Sequence, residues 1–424
     1  MTAKNEKKTI QIIGSFPLVQ SFATAARAEH LAIALAHRRY SVQLLSLGRV
    51  QNYHSKTMSS NVAEEPISKI VRRSLNPLVY RQAYGLPKRI LNFLKIRSKL
   101  VIVVLRGFAN NRPEAVLLFK SSFLDTIMVV SMSKIYKVPV LIELCEWFPA
   151  SHFRRGHFSL SYWLDVLKRS VLVKYASGTV AISSFIQKKM SGAKIPSIFV
   201  PAMVDMSRED QASICPIMSS EGIKQEKDTF IVGYSGKAKL EDGFSLLLEA
   251  VSLLQTEWES IELWVSGPIG VDVIKRNMPD LDSNAYGQLW SRIRVKGLLS
   301  PAEYEWFKRS VDCIVIPRPP CQINRANFPT RVPEYLAAGR SVIVGDTGDL
   351  GKLLKNGEDA ILISGQANAR VIADCLLRLK DNPMYARRLG VKAEETARKV
   401  FDCIVHGQRL DEFIQALSSE PTIH

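Results

Sequence analysis

Short apolar runs alternate with segments of helical periodicity along most of the chain. An apolar run begins at Thr9, residues 25–39 carry Leu31 and Leu35 at helical spacing, and a second apolar run begins at Ser41. Strand, helix and strand in this order predict a parallel α/β sheet. The alternation continues through strands at 115–119, 139–144, 178–183 and 197–202, with helices at 124–136, 159–175 and up to Lys189 between them.

A second alternating series starts at Phe230. Its strands are predicted at 230–236, 261–267, 292–297, 313–319 and 341–346, and its helices at 243–255, 302–309, 331–338 and 349–355. Segments 367–380 and 383–415 then have helical periodicity. Residues 206–228 are polar and aperiodic, which predicts a linker. The chain therefore divides into an α/β domain at 1–205, the linker, a second α/β domain at 229–390 and a C-terminal helix at 391–424, both domains being Rossmann-like.

The composition limits the classes of protein to which the chain can belong. The 424 residues are 46% hydrophobic and 23% charged, which is typical of globular domains and supplies two cores. The net charge of +17 favours an anionic partner: nucleic acid, anionic lipid or a phosphorylated substrate. Six cysteines without paired spacing predict neither a zinc site nor disulfides, and we expect a cytoplasmic protein. No apolar run is long enough to span a membrane, so any membrane contact should be peripheral.

Four sequence blocks in the second half, taken in the order in which they occur, resemble those of a known family. They are YSGKAKLEDGFSLLLEA at 234–250, LWVSGP at 263–268, VKGLLSPAEYEWFKRSVDCIVIP at 295–317 and NFPTRVPEYLAAGRSVIVGDTGDLGKLL at 327–354. Together they resemble the family-four group of retaining glycosyltransferases. That resemblance implies the GT-B fold, in which two Rossmann-like domains face each other across a cleft and the C-terminal helices cross back.

The resemblance also implies an activity. The N-terminal domain would bind the acceptor, and residues 229–390 would bind a nucleotide sugar as substrate. The enzyme would be a hexosyltransferase that needs no cofactor and no metal, since helix dipoles and basic side chains stabilise the departing diphosphate. The expected acceptor is lipid-linked or a polysaccharide, as in the synthesis of lipopolysaccharide and other cell-surface glycans.

The last block supplies candidate donor-binding residues. Thr330 is predicted to cap a helix whose free backbone N–H groups suit a phosphate, and Arg331 adds a cation there. Glu334 lies one turn farther along the same face, where a carboxylate can accept both ribose hydroxyls. The resemblance assigns it that role. The alternative is an ordinary capped helix with a solvated Glu334.

The glycine turns after two strands supply further candidates. Gly236 lets backbone approach a ligand, and Lys237 and Lys239 are candidates to neutralise its diphosphate. Gly267 ends its strand at the edge of the sheet where open α/β folds bind ligands. Ordinary βα turns with exposed lysines are the alternative.

The sequence departs from the family at two positions. The family usually has a lysine where this chain has Asp242, and a donor-contacting glutamate where it has Ala326. Part of the family also lacks that glutamate. These departures keep open a non-catalytic subunit with the same fold. A sugar-nucleotide epimerase is a further alternative, for which His152 and His157 are candidate acid–base groups.

The first half offers a candidate catalytic carboxylate. Glu143 and Glu146 follow a predicted strand, at a place where the family often has a histidine or an acidic residue. Of the two, Glu146 beside Trp147 is the first candidate to stabilise an oxocarbenium-like transition state or orient the acceptor. A solvated turn is the alternative.

A basic segment at 69–112 predicts a membrane contact. No acidic residue occurs between Pro66 and Pro113, whereas eleven lysines and arginines alternate with apolar residues there. Such a segment suits the anionic inner face of the cytoplasmic membrane. A solvated helix face and nucleic acid are the alternatives. We expect no nucleic-acid partner, because no nucleic-acid-binding motif accompanies the charge.

Overall fold

The computed structural model describes residues 8–16, 23–48, 69–76, 85–214, 229–254, 258, 260–278, 280, 283–365 and 368–419. The chain forms two compact units. Residues 1–201 and 403–424 belong to the first unit, and residues 202–402 to the second.

Both units have the α/β architecture that the alternation predicts. The strands are β1 (Thr9–Gly14), β2 (Ser41–Ser46), β3 (Ile70–Ser74), β4 (Ala115–Phe119), β5 (Val140–Leu144), β6 (Gly178–Ala181), β7 (Ser197–Phe199), β8 (Phe230–Ser235), β9 (Ile261–Ser266), β10 (Ile293–Gly297), β11 (Cys313–Ile316), β12 (Ser341–Gly345) and β13 (Ile361–Ile363). The α-helices are α1 (Ala23–Ala36), α2 (Leu86–Asn110), α3 (Phe123–Tyr136), α4 (Leu160–Ser170), α5 (Ser184–Gly192), α6 (Met206–Ile214), α7 (Phe244–Leu253), α8 (Val271–Asn277), α9 (Ser283–Ser291), α10 (Pro301–Ser310), α11 (Gln322–Ala326), α12 (Val332–Ala337), α13 (Leu350–Leu353), α14 (Ala369–Asp381), α15 (Pro383–Thr396) and α16 (Cys403–Ser419).

The first unit is built on a parallel sheet in the order β3-β2-β1-β4-β5-β6-β7. Its central strands β1, β4, β5 and β6 are buried along their whole length. Strands covered on both faces consist of continuous apolar runs, which is why the sequence predicts them well. Strand β3 was not predicted, because its arginines break the apolar pattern.

The last helix, α16, packs against α1 in the first unit. An added Cβ at Gly407 would lie 2.3 Å from the backbone oxygen of Ala34, so the two helices approach closely. The hydroxyl of Tyr40, just after α1, donates to Asp411 on α16 at 2.6 Å. Of the predicted C-terminal helix at 391–424, residues up to 402 belong to the second unit, and 420–424 lie outside the described residues.

The second unit has a parallel sheet in the order β10-β9-β8-β11-β12-β13. Apolar side chains of these strands pack with α7, α9 and α14 in one buried core, which includes Val232, Leu247, Leu263, Leu289, Val315 and Leu376. This order makes β8 and β11 the central neighbours, so the loops after them lie side by side.

The predicted linker differs from the structure. Residues 206–214 form helix α6 in the second unit, where Glu209 contacts Lys308 at 2.6 Å and Arg309 at 3.3 Å. The partners come from a helix about a hundred residues later, so local periodicity gave no sign of them. Residues 215–228 lie outside the described residues. Among the helices described, none combines the length and hydropathy needed to cross a bilayer.

Candidate donor site and first-unit carboxylates

Glycines join the ends of three strands in the second unit. The backbone N–H of Gly236, after β8, donates to the oxygen of Ser266 at 3.1 Å, and that of Gly267, after β9, donates to Gly297 at 2.8 Å. Gly267 has φ of 127°, and an added Cβ would lie 2.1 Å from the oxygen of Gly236. The two predicted glycines therefore lie together at the carboxyl edge of the sheet.

Helix α12 begins later than the sequence predicted. Arg331 is its N-cap residue, with φ of −93° and no side-chain capping bond, and Thr330 lies in the preceding turn. The prediction that Thr330 caps the helix was wrong. With Thr330 at the cap, the third helical position would be Pro333, which has no N–H for the threonine hydroxyl to accept.

Arg331 is held at the end of β8. Its guanidinium donates to the hydroxyl of Ser235 and lies 4.9 Å from the ring centroid of Tyr304. Tyr335 donates to the backbone oxygen of Ser235 at 3.0 Å. Burial opposes the charge of Arg331, but Tyr304, Tyr335 and Glu334 raise its pKa overall. A permanently cationic side chain is thus fixed next to the glycine turn.

Glu334 lies beside this arginine. The hydroxyl of Tyr304 on α10 donates to one carboxylate oxygen, Oε2, at 3.1 Å. The other oxygen, Oε1, makes no hydrogen bond with the described residues. The structure therefore brings together Arg331 and Glu334, and leaves one oxygen of the half-buried carboxylate available to a ligand.

The two predicted lysines lie on the turn between β8 and α7. Lys237 is exposed, and Lys239 is exposed with its Nζ 3.2 Å from Glu241. The charge of Lys239 is therefore partly balanced by its neighbour. Both lysines stay candidates for an anionic ligand.

Sequence reasoning missed Arg318, which lies beside Asp242. Its backbone N–H donates to the oxygen of Asp242 at 3.1 Å, and Nη2 donates to the oxygen of Asn327 at 3.1 Å. Burial raises the pKa of Asp242 and the Arg318 charge opposes that rise. A buried cation therefore accompanies Asp242, at the position where the family that the sequence resembles usually has a lysine. The short segment around Arg318 has no periodicity that would have identified it.

Ala326, where the family usually has a glutamate, is fully buried at the end of α11. In the same short helix, Asn324 donates to the backbone oxygens of Glu241 at 2.7 Å and Pro319 at 2.8 Å, which ties the helix to both neighbouring loops. A glutamate at position 326 would enter this packed interior, and a buried carboxylate there would be costly.

A second missed group lies behind Tyr304 on α10. Lys308 is fully buried, with Nζ 2.6 Å from Glu209 and 2.9 Å from Glu305. Burial lowers the pKa of Lys308, but the two carboxylates raise it overall. Burial likewise raises the pKa of Glu209, while Lys308 opposes the rise. This group anchors α10, which carries the tyrosine that contacts Glu334.

In the first unit, the two carboxylates near the end of β5 have different surroundings. Glu143 is buried, 3.1 Å from Arg27; burial raises its pKa and the arginine opposes that shift. Glu146 keeps 40% of its side chain exposed and contacts Nζ of Lys120 at 2.7 Å. Glu146 is therefore the accessible carboxylate, and Glu143 a structural one.

Residues 229–382 match the family model described as Glycosyl transferases group 1. The chain is a glycosyltransferase with the GT-B fold. No curated protein matches its sequence.

Several solved structures are similar to this glycosyltransferase over nearly its whole length. A glycosyltransferase from Rickettsia africae has a TM-score of 0.66 at 15% identity, over 98% of this chain and 100% of that one. Anabaena HepE in complex with UDP and glucose has a TM-score of 0.62 at 13% identity, over 96% and 100%. The lipopolysaccharide outer core galactosyltransferase WaaB has a TM-score of 0.56 at 13% identity, over 96% and 99%. At these identities the likeness shows the fold.

The histidines considered for an epimerase lie among aromatic side chains of the glycosyltransferase. The ring of His152 stacks on Phe148 at 4.0 Å between centroids, and His157 meets the ring of Tyr162 at 5.3 Å. No observation favours acid–base chemistry at either histidine. In the described residues, no group of three or more His, Cys, Asp or Glu side chains is arranged to bind a metal.

Proposed function

We propose that this glycosyltransferase moves a hexose from a nucleotide-sugar donor to a lipid-linked or polysaccharide acceptor in cell-surface glycan synthesis, with retention of configuration as in family four. The observation that carries the proposal is the side-by-side position of Arg331 and Glu334 next to the glycine turn after β8. HepE, which has the same fold, holds UDP and glucose, and WaaB is a lipopolysaccharide outer core galactosyltransferase.

The proposed donor chemistry assigns one task to each group. The free Oε1 of Glu334 accepts hydrogen bonds from ribose hydroxyls. Arg331, Lys237 and Lys239 neutralise the diphosphate as it leaves, and no metal is required. Gly236 and Gly267 let the donor approach the backbone, and Thr330 lies in the turn that leads into α12.

For the acceptor side, we propose Glu146 as the catalytic carboxylate. It is accessible, and its carboxylate contacts Nζ of Lys120 at 2.7 Å. A carboxylate there can stabilise an oxocarbenium-like transition state or orient the acceptor hydroxyl. Buried Glu143 lacks that access.

The proposed membrane contact is made by the basic segment at 69–112, on the inner face of the cytoplasmic membrane. Two of its cations serve the fold, since Arg72 pairs with Glu29 and Arg97 contacts Asp125 at 3.2 Å. Helix α2 carries further cations of this segment and has no acidic residue. Exposed lysines and apolar residues alternate there: Lys88, Ile90, Leu91, Leu94, Lys95 and Lys99.

Calorimetry with UDP tests the donor site. Glu334→Ala should weaken binding at least about fivefold, the equivalent of ~1 kcal/mol for a lost charged hydrogen bond. Glu358→Ala, which removes an exposed carboxylate of the same unit, should bind like the wild type. Equal affinity of Glu334→Ala and Glu358→Ala would refute the donor role. If wild type binds no UDP, the same comparison with other nucleoside diphosphates identifies the base.

Vesicle sedimentation tests the membrane contact. Reversing Lys88, Lys95 and Lys99 to glutamate should release the protein from phosphatidylglycerol-containing vesicles. Arg97 is left unchanged because it supports the fold. The control reverses three exposed cations of the second unit, Lys275, Arg276 and Arg387. Equal retention of both variants would exclude docking through α2.

A further inference from the structure

Helix α4 exposes its apolar side chains. Of its eleven residues only Arg169 is buried. Leu160 is 73% exposed and Trp163 50%, and Leu167 and Val171 continue the same stripe at helical spacing. Phe158, in the turn before the helix, is 92% exposed. A surface helix of a globular domain normally buries such a stripe, so this face is suited to a partner.

Cationic residues flank the apolar stripe along the chain. Between residues 152 and 175 the acidic residue is Asp165, which contacts Lys168 at 3.7 Å and Arg169 at 3.6 Å. Three exposed cations, Arg154, Arg155 and Lys174, form no ion pair with the described residues. Apolar side chains flanked by cations complement an anionic bilayer, because its acyl chains accept apolar groups and its headgroups attract cations.

Aromatic contacts hold the stripe in place before any partner binds. The indole N–H of Trp163 donates to the backbone oxygen of His157 at 2.7 Å. The ring of Tyr162 meets those of Phe153, His157 and Trp163 within 5.5 Å. Tryptophan and tyrosine are the residues enriched at membrane–water interfaces. Because the turn and the helix are already ordered, binding loses little conformational entropy.

We infer that Phe158 and the exposed face of α4 insert into an anionic bilayer. This inference rests on the proposed peripheral association but assigns insertion to an element other than α2. Helix α3 packs against both α2 and α4, so the three helices form one layer of the first unit. Leu124, Ile127 and Ile135 of α3 are also exposed.

The inserted helix touches the candidate acceptor region. On its inner side, the guanidinium of Arg169 lies 4.3 Å from the ring centroid of Trp147, which directly follows Glu146. Insertion would therefore place α4 between the bilayer and the segment that carries Glu146, about one helix diameter from the membrane surface. The lipid part of a lipid-linked acceptor would stay in the bilayer while its head group extends toward that carboxylate.

The test measures both vesicle binding and the depth of insertion. It uses the full chain and vesicles of phosphatidylcholine and phosphatidylglycerol. Changing Phe158, Leu160, Trp163 and Leu167 to serine should weaken vesicle binding at least about tenfold. The matched control changes four exposed apolar residues elsewhere, Met384, Val391, Ile404 and Val405, and should bind like the wild type. UDP binding checks that the second unit of every variant is folded, and circular dichroism checks the helices of the first unit.

Bromine on the lipid acyl chains reports insertion. It should quench wild-type tryptophan fluorescence, and Trp163→Phe should lose that quenching while still binding. Binding by the serine variant at wild-type strength, or no quenching of bound wild type, would overturn the insertion of α4 and leave docking through the α2 lysines standing. Failure of the wild type to bind vesicles would overturn both membrane proposals, whereas UDP affinity tests the donor site separately.

Discussion

The hydroxyl of Tyr304 on α10 donates to a carboxylate oxygen of Glu334 on α12 at 3.1 Å. This bond fixes the carboxylate that we assign to the donor ribose. Tyr304→Phe removes the bond but keeps the ring, which stacks on Phe307. We expect UDP affinity to fall about twofold to tenfold, the range for one hydrogen bond. Calorimetry at constant pH measures it, and unchanged affinity would show that Tyr304 does not position Glu334.

Gly267 allows the close approach of two strand ends. Alanine there would combine a φ of 127° with a Cβ 2.1 Å from the oxygen of Gly236. We expect Gly267→Ala to cost at least about 2 kcal/mol in unfolding free energy, because both backbone and contact are strained. Gly270→Ala is the control, since a Cβ there meets nothing within 4 Å. Urea denaturation compares them, and equal midpoints would contradict the steric argument.

The fold could be predicted from sequence because central parallel strands consist of continuous apolar runs. Strands β4 and β11, for example, lie where Ala115 and Cys313 begin such runs. Edge strands and the connections between domains were harder to predict. Strand β3 contains Arg72 and Arg73, and α6 was missed because its buried Glu209 pairs with Lys308 from a distant helix. Propensity and periodicity carry no information about such non-local contacts.

The candidate donor site was predictable where its signals are local. Arg331 and Glu334 are three residues apart on one helix, so their proximity follows from helical geometry. The residues that orient them come from elsewhere: Tyr304 lies 30 positions from Glu334, and Ser235 lies 96 positions from Arg331. The prediction for Thr330 failed although its signal was local. Threonine is a common helix cap, but Pro333 has no backbone N–H for its hydroxyl.

The buried Lys308 should be essential to the second unit. Lys308→Met removes the cation between Glu209 and Glu305. Buried Glu209 is left with Arg309 alone, and half-buried Glu305 loses its contact with Lys308. We expect a loss of about 3–5 kcal/mol in unfolding free energy. Lys392→Met, which breaks an exposed pair with Glu395, should cost less than about 1 kcal/mol. Thermal unfolding measures both, and a small effect at Lys308 would mean that the carboxylates are solvated or protonated.

The contact between Tyr40 and Asp411 should make the first unit sensitive to acid. Burial raises the pKa of Asp411, but hydrogen bonds from Tyr40 and Gln415 and nearby arginines lower it overall. The folded pKa therefore lies below the unfolded value of about 3.9, so its stabilisation is present above that pH and is lost as the pH falls through the folded pKa.

Asp411→Asn should therefore lower the stability of the first unit by about 1–3 kcal/mol at neutral pH, because α16 loses a charged hydrogen-bond acceptor against α1. The difference from wild type should shrink below about pH 4, where wild-type Asp411 also becomes protonated. Glu412→Gln, at an exposed neighbour on the same helix, is the control. Urea unfolding at several pH values measures both, and a wild-type advantage independent of pH would show that Asp411 acts through shape and not through its charge.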